Sequence, residues 1–105
     1  MPTKYVVNIG PIAEKDLEEI WSYIAADSPQ AAAAFMDELF QQLRTLQTFP
    51  LRCPLIAENE DLGASYRHLL FGEYRTIFRV DVDTVEVLRV IHGARLMDIS
   101  DLELI

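Results

Sequence analysis

The sequence predicts an α+β domain in which two antiparallel helices form a hairpin packed on a small antiparallel or mixed sheet. Two observations support this fold class. Apolar residues recur with the helical period between positions 13 and 46, whereas the segments on either side are short and rich in β-branched and aromatic residues. The predicted order is therefore β-α-α-β-β-β. With 105 residues, half of them apolar, we expect one domain over residues 1–105 with a compact core.

The first strand and first helix are separated by a turn. Residues 4–9 (Lys4-Tyr-Val-Val-Asn-Ile9) predict a strand, and Gly10-Pro11 ends it. The pattern then changes to the period of an amphipathic helix, with charged residues opposite the apolar ones. Its apolar positions are Ala13, Leu17, Ile20, Trp21 and Ile24.

The second helix follows after a very short link, so the two helices should be antiparallel neighbours. Ser28 is the predicted N-cap, with Pro29 in the first helical position. Pro50 prevents the helix from continuing beyond Phe49. Its apolar positions are Ala32, Phe35, Met36, Leu39, Phe40, Leu43 and Leu46.

The second half of the chain predicts a loop and then three strands. Residues 50–64 show neither period and contain two prolines and an acidic run. The predicted strands are Tyr66–Phe71, Tyr74–Val80 and Val85–His92, and their separations suit hairpins. Near the C-terminus, Ser100-Asp-Leu-Glu103 has the spacing of a capping box for a short helix.

Composition excludes several classes of function. A net charge of −8 disfavours long-range attraction to nucleic acid phosphates or anionic lipid. The only cysteine, Cys53, makes neither a disulfide nor a CxxC pair, and we interpret it as a small semi-buried residue rather than a nucleophile. The sequence lacks nucleotide-binding, zinc-protease and EF-hand motifs, so we expect no cofactor and no metal. With no apolar run long enough for a membrane span and no secretory signal, we expect a cytoplasmic protein.

Arginine is distributed unevenly, since six of the seven arginines follow position 50. Strand alternation places Arg75 and Arg79 on one face, where they would suit phosphate or carboxylate recognition. The alternative is cross-strand pairing on a solvated sheet face. The acidic partners would then be Glu73, Asp81, Asp83 and Glu86.

The two histidines differ in context. His68 lies within a predicted strand and is interpreted as structural. His92 ends the last strand and precedes Arg95 across a glycine, in His92-Gly-Ala-Arg95, so the two side chains would project from one turn. Such a pair suits action on a phosphodiester, but the favoured interpretation is a basic pair on the surface at the end of a strand.

The stretches 66–80 and 85–95, together with the Ala13–Ile24 helix and the Phe49-Pro50 stop, resemble the ParE/RelE toxin superfamily of type II toxin–antitoxin modules, which act in plasmid stabilisation. The resemblance covers nearly the whole chain and is closest to the ParE branch. It implies the helical hairpin on a small sheet already predicted from periodicity. It also implies a toxin neutralised by a cognate antitoxin.

The superfamily divides by target: ParE-like members poison DNA gyrase without a known hydrolytic role, and RelE-like members are ribosome-dependent mRNA endonucleases. Arg75 and Arg95 match two arginines of the nuclease pattern, and His92 matches a histidine that some family nucleases use. The sequence lacks the tyrosine expected soon after the second arginine, and it has Tyr66 and His68 where the pattern has basic side chains. The resemblance therefore implies gyrase inhibition first, with a RelE-like endoribonuclease as the alternative and a non-toxic interaction module as the second.

The resemblance also implies where partners bind. The antitoxin would lie along the hairpin and the sheet edge and form a hetero-oligomer with the toxin. Its predicted contacts are Trp21, Ile24, Phe35, Leu39 and Phe40. The target, gyrase or alternatively the ribosome with its mRNA, would contact Arg89, His92 and Arg95, with the tail Gly93–Ile105.

The net charge of −8 differs from that of the family, whose toxins are usually basic. Residues 64–95 carry five arginines and four acidic residues, a net charge of +1, so the sheet is the predicted basic part of the molecule.

Overall fold

A computed structural model of the chain describes residues 4–58 and 65–96. It confirms the predicted α+β fold and the order β-α-α-β-β-β. The elements are β1 (Val6–Ile9), α1 (Pro11–Ala25), α2 (Pro29–Arg44), β2 (Arg67–Phe71), β3 (Tyr74–Asp81) and β4 (Thr84–His92), with 3-10 turns at Thr45–Gln47 and Pro50–Arg52.

The sheet is mixed, with strand order β1-β4-β3-β2. Of the two arrangements that the sequence left open, mixed is therefore the correct one. The β2–β3 and β3–β4 pairs are antiparallel because two-residue turns join them. β1 runs parallel to β4, with Val6 opposite Thr84 and Ile9 opposite Val87, because the helical hairpin carries the chain away from the sheet between them.

Helix boundaries follow from local backbone chemistry. α1 begins at Pro11, two residues before the predicted apolar repeat, because proline fits the first helical position. The Ser28 hydroxyl accepts a hydrogen bond from the Ala31 N–H at 3.1 Å, which confirms the predicted cap of α2. α2 ends at Arg44 rather than near Phe49. The chain continues as a 3-10 turn, and Phe49 then takes a left-handed conformation (φ 51°) before Pro50.

The main core lies between the helices and one face of the sheet. Leu17 and Ile20 of α1 and Leu39 of α2 pack there against Phe78. A smaller apolar cluster formed by Ile56, Ile77, Ile91 and part of Tyr66 lies on the other face, since Ile77 and Phe78 are neighbours on one strand. No helix within residues 4–58 and 65–96 is long and apolar enough to cross a membrane.

The sequence predicts a loop after Pro50, because the segment shows neither helical nor strand periodicity. In the structure, its described part packs along the outer edge of β2. The Ile56 N–H donates to the Tyr66 carbonyl at 3.0 Å, and the His68 N–H donates to the Pro54 carbonyl at 3.1 Å. This segment therefore covers the second sheet face and brings Glu58 beneath it.

A β-bulge interrupts β4. Ile77 is opposite Arg89, but its neighbour Phe78 is opposite Val87, so Leu88 is an extra residue on β4. Beyond the bulge, Val90 and not Arg89 continues the core positions that include Val85 and Val87. The Arg89 side chain contacts Asp16 of α1.

Candidate functional site

The end of β4 forms an open cleft of about 280 Å³ with α1 and the start of β3. α1 contributes Asp16, Glu19, Ile20 and Tyr23, β3 contributes Tyr74, and the remaining wall is formed by residues 89–92 and 95. The cleft therefore brings together all three residues predicted to bind the target: Arg89, His92 and Arg95. A concave surface that combines aromatic and charged side chains is a suitable place for recognition.

Arg89 forms the floor of this cleft. It is buried, and its Nε and Nη2 atoms donate to Asp16 Oδ2 at 2.8 Å and Oδ1 at 3.0 Å. Asp16 Oδ2 also accepts the Val90 N–H at 2.9 Å. β3 pairs with β4 at Val90 on one side, but β1 ends at Ile9, opposite Val87, and supplies no acceptor on the other side. The Asp16 carboxylate accepts this N–H instead. Arg89 therefore shapes the cleft through a bidentate ion pair.

His92 and Arg95 lie at the rim, on an ordered turn. The Ala94 N–H donates to His92 Nδ1 at 3.2 Å, and the Arg95 N–H donates to the His92 carbonyl at 3.0 Å. The Gly93 N–H donates to the Glu73 carbonyl at 2.7 Å. A Cβ at Gly93 would lie 3.3 Å from that oxygen, so the close approach favours glycine. Both rim side chains are exposed.

Tyr74 supports the rim from below. Its ring packs edge-on against His92 (6.0 Å between ring centroids) and against Phe35 (5.6 Å). Burial raises the pKa of Tyr74 above its usual value, and the nearby Tyr23 and Glu73 raise it further. The phenol therefore stays protonated near neutral pH.

Sequence reasoning missed Tyr23, Glu19 and Tyr74 as parts of the cleft. Tyr23 is 78% exposed and forms the helical wall of the cleft. A signal for it exists, because Asp16, Glu19 and Tyr23 follow the i, i+3, i+7 spacing of one helix face. That face lies beside the core face and opposite the end of β4.

Arg75 lies away from the cleft, on the second face of the sheet, and is 5% exposed. Its Nη1 and Nη2 atoms donate to Glu58 Oε1 at 3.1 Å and Oε2 at 2.5 Å, and Nη2 also donates to the Arg95 carbonyl. Arg79 is exposed opposite Glu86. The two arginines therefore do not form the predicted recognition cluster.

The alternative interpretation of the arginines is wrong for Arg75 and Arg89. Their partners are Glu58, from the loop, and Asp16, from α1. None of the four sheet acids proposed from the sequence supplies these ion pairs. A guanidinium removed from water requires a carboxylate that is also removed from water, and the solvated hairpin turns do not provide one.

Cys53 is buried and His68 is partly buried, and both positions fit structural roles. Burial lowers the pKa of His68 below its usual value, and the Arg75 guanidinium lowers it further. Within the described ranges, His68 Nδ1 has no hydrogen-bond partner. Burial raises the pKa of the Cys53 thiol, which keeps it in the less reactive protonated form.

The residues predicted to bind an antitoxin are divided between core and surface. Trp21 and Phe40 are exposed, at 45% and 38%, while Ile24 and Phe35 are partly buried against the core. Leu39 has no exposed surface, so it belongs to the core and not to the outer face of the hairpin. Of the five residues predicted to contact an antitoxin, Trp21 and Phe40 are therefore the ones that expose a large part of their surface.

Two further expectations concern metals and the tail. No group of three or more His, Cys, Asp or Glu side chains in the described part of the chain could hold a metal ion. Residues 97–105, with the predicted capping box Ser100–Glu103, lie outside the described residues.

Comparison with known proteins agrees with this architecture. In the chromosomal ParDE toxin–antitoxin system from P. aeruginosa, a chain with 20% identity matches at a TM-score of 0.70, covering 87% of this chain and 98% of that one. In the toxin–antitoxin complex RelBE2 from Mycobacterium tuberculosis, a chain with 28% identity matches at 0.61, covering 90% and 98%. The comparison with curated protein sequences gives no significant match. A family model described as the ParE toxin of the type II toxin–antitoxin system parDE matches residues 7–97. Because this match spans most of the chain, the protein belongs to the ParE toxin family of type II toxin–antitoxin systems.

Proposed function

We propose that the protein inhibits DNA gyrase in the cytoplasm and that a cognate antitoxin neutralises it in a hetero-oligomeric complex. Membership of the ParE family supports this assignment. The proposed target-binding surface is the cleft at the end of β4, with His92 and Arg95 at its rim and Tyr23 on its helical wall.

The observation that carries the choice of target is the burial of the two central arginines. Arg75 and Arg89 each bind a carboxylate from outside the sheet. Adding Glu58 and Asp16 to residues 64–95 changes the net charge from +1 to −1, so the sheet side is no longer a basic region. Ribosomal RNA rewards a dense set of accessible cations, which argues for a protein target.

The RelE-like alternative would use Arg75, His92 and Arg95 together. A nuclease needs donors that face the scissile phosphate, and both terminal nitrogens of Arg75 already donate to Glu58 or to the Arg95 carbonyl. His92 and Arg95 are exposed at the cleft. This arrangement favours a recognition surface over an RNA-cleaving site.

The proposed antitoxin contact is the outer side of the helical hairpin. Trp21 and Phe40 expose apolar surface there, and such surface in a small domain commonly marks a binding site for a partner segment. The two structural neighbours are themselves toxin–antitoxin complexes, which supports the same kind of partner. Co-purification with the product of the adjacent gene tests this part of the proposal.

A paired assay tests the target. We expect the purified protein to inhibit supercoiling by gyrase and to leave mRNA intact on ribosomes. Arg95→Glu should weaken gyrase inhibition by at least about tenfold, while changing stability by less than about 0.5 kcal/mol because the side chain is exposed.

The matched control is Arg79→Glu, an equal charge change at an exposed position outside the cleft, which should inhibit gyrase like the wild type. Codon-specific mRNA cleavage that is lost in His92→Ala would establish the nuclease alternative instead, since His92 is exposed and its loss leaves the core intact. Normal growth on induction, together with no bound neighbour, would favour the non-toxic interaction module.

A further inference from the structure

We propose that Arg75 is a positioning residue: it anchors the turn Gly93–Arg95 to the sheet and thereby sets the position of Arg95 at the cleft, beside His92 at the end of β4. The effect on gyrase rests on the proposed function. The anchoring itself does not, and it can be measured on the isolated protein.

One guanidinium joins three distant segments. Arg75, on β3, donates through Nη1 and Nη2 to both carboxylate oxygens of Glu58, seventeen residues earlier. Nη2 also donates to the carbonyl of Arg95, twenty residues later. The bidentate pair fixes the plane of the guanidinium, and this plane directs the remaining Nη2 hydrogen at the Arg95 carbonyl.

The Arg95 carbonyl is the second attachment point of the turn. The first is at its start, where the Gly93 N–H donates to the Glu73 carbonyl at 2.7 Å. Between the two points, the His92 ring and carbonyl accept the N–H groups of Ala94 and Arg95. If the contact from Arg75 is lost, the Gly93 N–H still ties the turn to Glu73, but the Arg95 backbone loses its hydrogen bond to β3.

Because the Arg75 side chain is buried, its proposed role is to position the turn and not to contact a target directly. The Arg75 side chain is 6% exposed and the Glu58 side chain 8%. A ligand phosphate or carboxylate would have to displace Glu58 to reach the guanidinium. Arg75 therefore acts on the cleft through the Arg95 backbone.

The test must remove the anchor without leaving a buried charge unpaired. The double variant Glu58→Leu/Arg75→Met does so, because replacing both members of a buried ion pair with apolar side chains of similar size commonly preserves stability. Arg75→Met alone would remove the guanidinium from the buried Glu58 carboxylate and destabilise the domain, which would confuse the result. Arg79→Met, on the same strand and exposed, is the control for loss of an arginine.

The measurement is the backbone ¹⁵N order parameter of each residue in the turn. In the wild type and in Arg79→Met we expect values near 0.85 at Ala94 and Arg95, typical of rigid backbone. In the double variant they should fall below about 0.6, whereas Gly93 should stay rigid because its hydrogen bond to Glu73 remains. Arg75→Lys keeps a donor at this position and should restore most of the lost order.

Unchanged order parameters at Ala94 and Arg95 in a folded double variant would overturn the proposal. If that variant fails to fold, Glu58→Gln/Arg75→Met decides in the same way, since it removes the Arg75 donor, leaves no buried charge and keeps a polar group at position 58. Loss of order without weaker gyrase inhibition would overturn the link to the cleft. If the wild type itself does not inhibit gyrase, the proposed function fails, and the order parameters still decide whether Arg75 anchors the turn.

Discussion

At the scale of single residues, the two buried arginines show why the number of basic side chains does not measure basic surface. Arg75 and Arg89 lie on neighbouring strands, and each forms a bidentate ion pair with one carboxylate. A guanidinium transferred from water to the interior without such a partner would cost several kcal/mol. Burial of these arginines therefore required Glu58 and Asp16 to be buried with them.

His68 provides a prediction about pH. Its pKa is lowered in the folded protein by burial and by Arg75, with Glu58 acting in the opposite direction, whereas in the unfolded chain it titrates near 6.5. The unfolded state therefore binds more protons than the folded state as the pH falls through about 6.5, so the free energy of unfolding should decrease from pH 7.5 to 5.5. Urea denaturation of His68→Gln at both pH values should show a smaller decrease than the wild type.

The control for His68 is His92→Gln, which removes the other histidine and keeps the one that accounts for the effect. An identical decrease in the wild type and His68→Gln would show that other groups dominate the pH dependence.

At the scale of elements, α1 contributes to both the core and the cleft. α1 directs Leu17 and Ile20 into the core, and the adjacent side of the same helix directs Glu19 and Tyr23 at the cleft. A helix places neighbouring side chains about 100° apart, so one amphipathic sequence can build a core and also form the wall of a binding surface. β4 also serves two purposes: Val87 and Val90 belong to the main core, whereas Arg89, beside the bulge at Leu88, pairs with Asp16 of α1.

The hairpin between β3 and β4 contains a locally unfavourable residue. Val82 has φ 57° and is 84% exposed, so a β-branched side chain adopts a left-handed conformation without compensating burial. Val82→Asn should raise the free energy of unfolding by about 1 kcal/mol, because asparagine tolerates this conformation and suits two-residue hairpins. Thermal or urea denaturation measures the change.

Val82→Thr is the matched control, since threonine is also β-branched and should give no gain. A Val82→Asn variant no more stable than Val82→Thr would show that the turn carries no such strain.

At the scale of the whole molecule, the pair Asp16–Arg89 joins the first helix to the last strand across 73 residues of sequence. The carboxylate also closes the edge of β4 by accepting the Val90 N–H, just where β1 ends. The pair therefore links the two ends of the described fold and forms the floor of the cleft.

Breaking this pair should be costly. Asp16→Asn leaves the buried Arg89 charge without its carboxylate, and we expect the free energy of unfolding to fall by about 3–5 kcal/mol in urea denaturation. Asp16→Asn/Arg89→Met should recover most of this loss, because no buried charge remains and the amide oxygen can still accept the Val90 N–H. The control Glu19→Gln, on the exposed side of α1, should change stability by less than about 0.5 kcal/mol. A small effect of Asp16→Asn would contradict the structural role assigned to the pair.

The sequence by itself determined the elements, their order, the cap at Ser28 and the family resemblance, because periodicity, capping and turn chemistry act over a few residues. It also identified His92 and Arg95 as neighbours, since one short turn holds both.

Only the tertiary structure decided which strands pair in parallel, where β4 bulges, and that Tyr23 faces the end of β4. It also decided that Arg75 binds Glu58 and Arg89 binds Asp16. These partners are 17 and 73 residues apart, and the local sequence of an arginine in a strand is the same whether a carboxylate or water covers it. Burial is set by segments distant in sequence that pack on the strand, so the choice between a recognition residue and a structural one appears only when those segments meet.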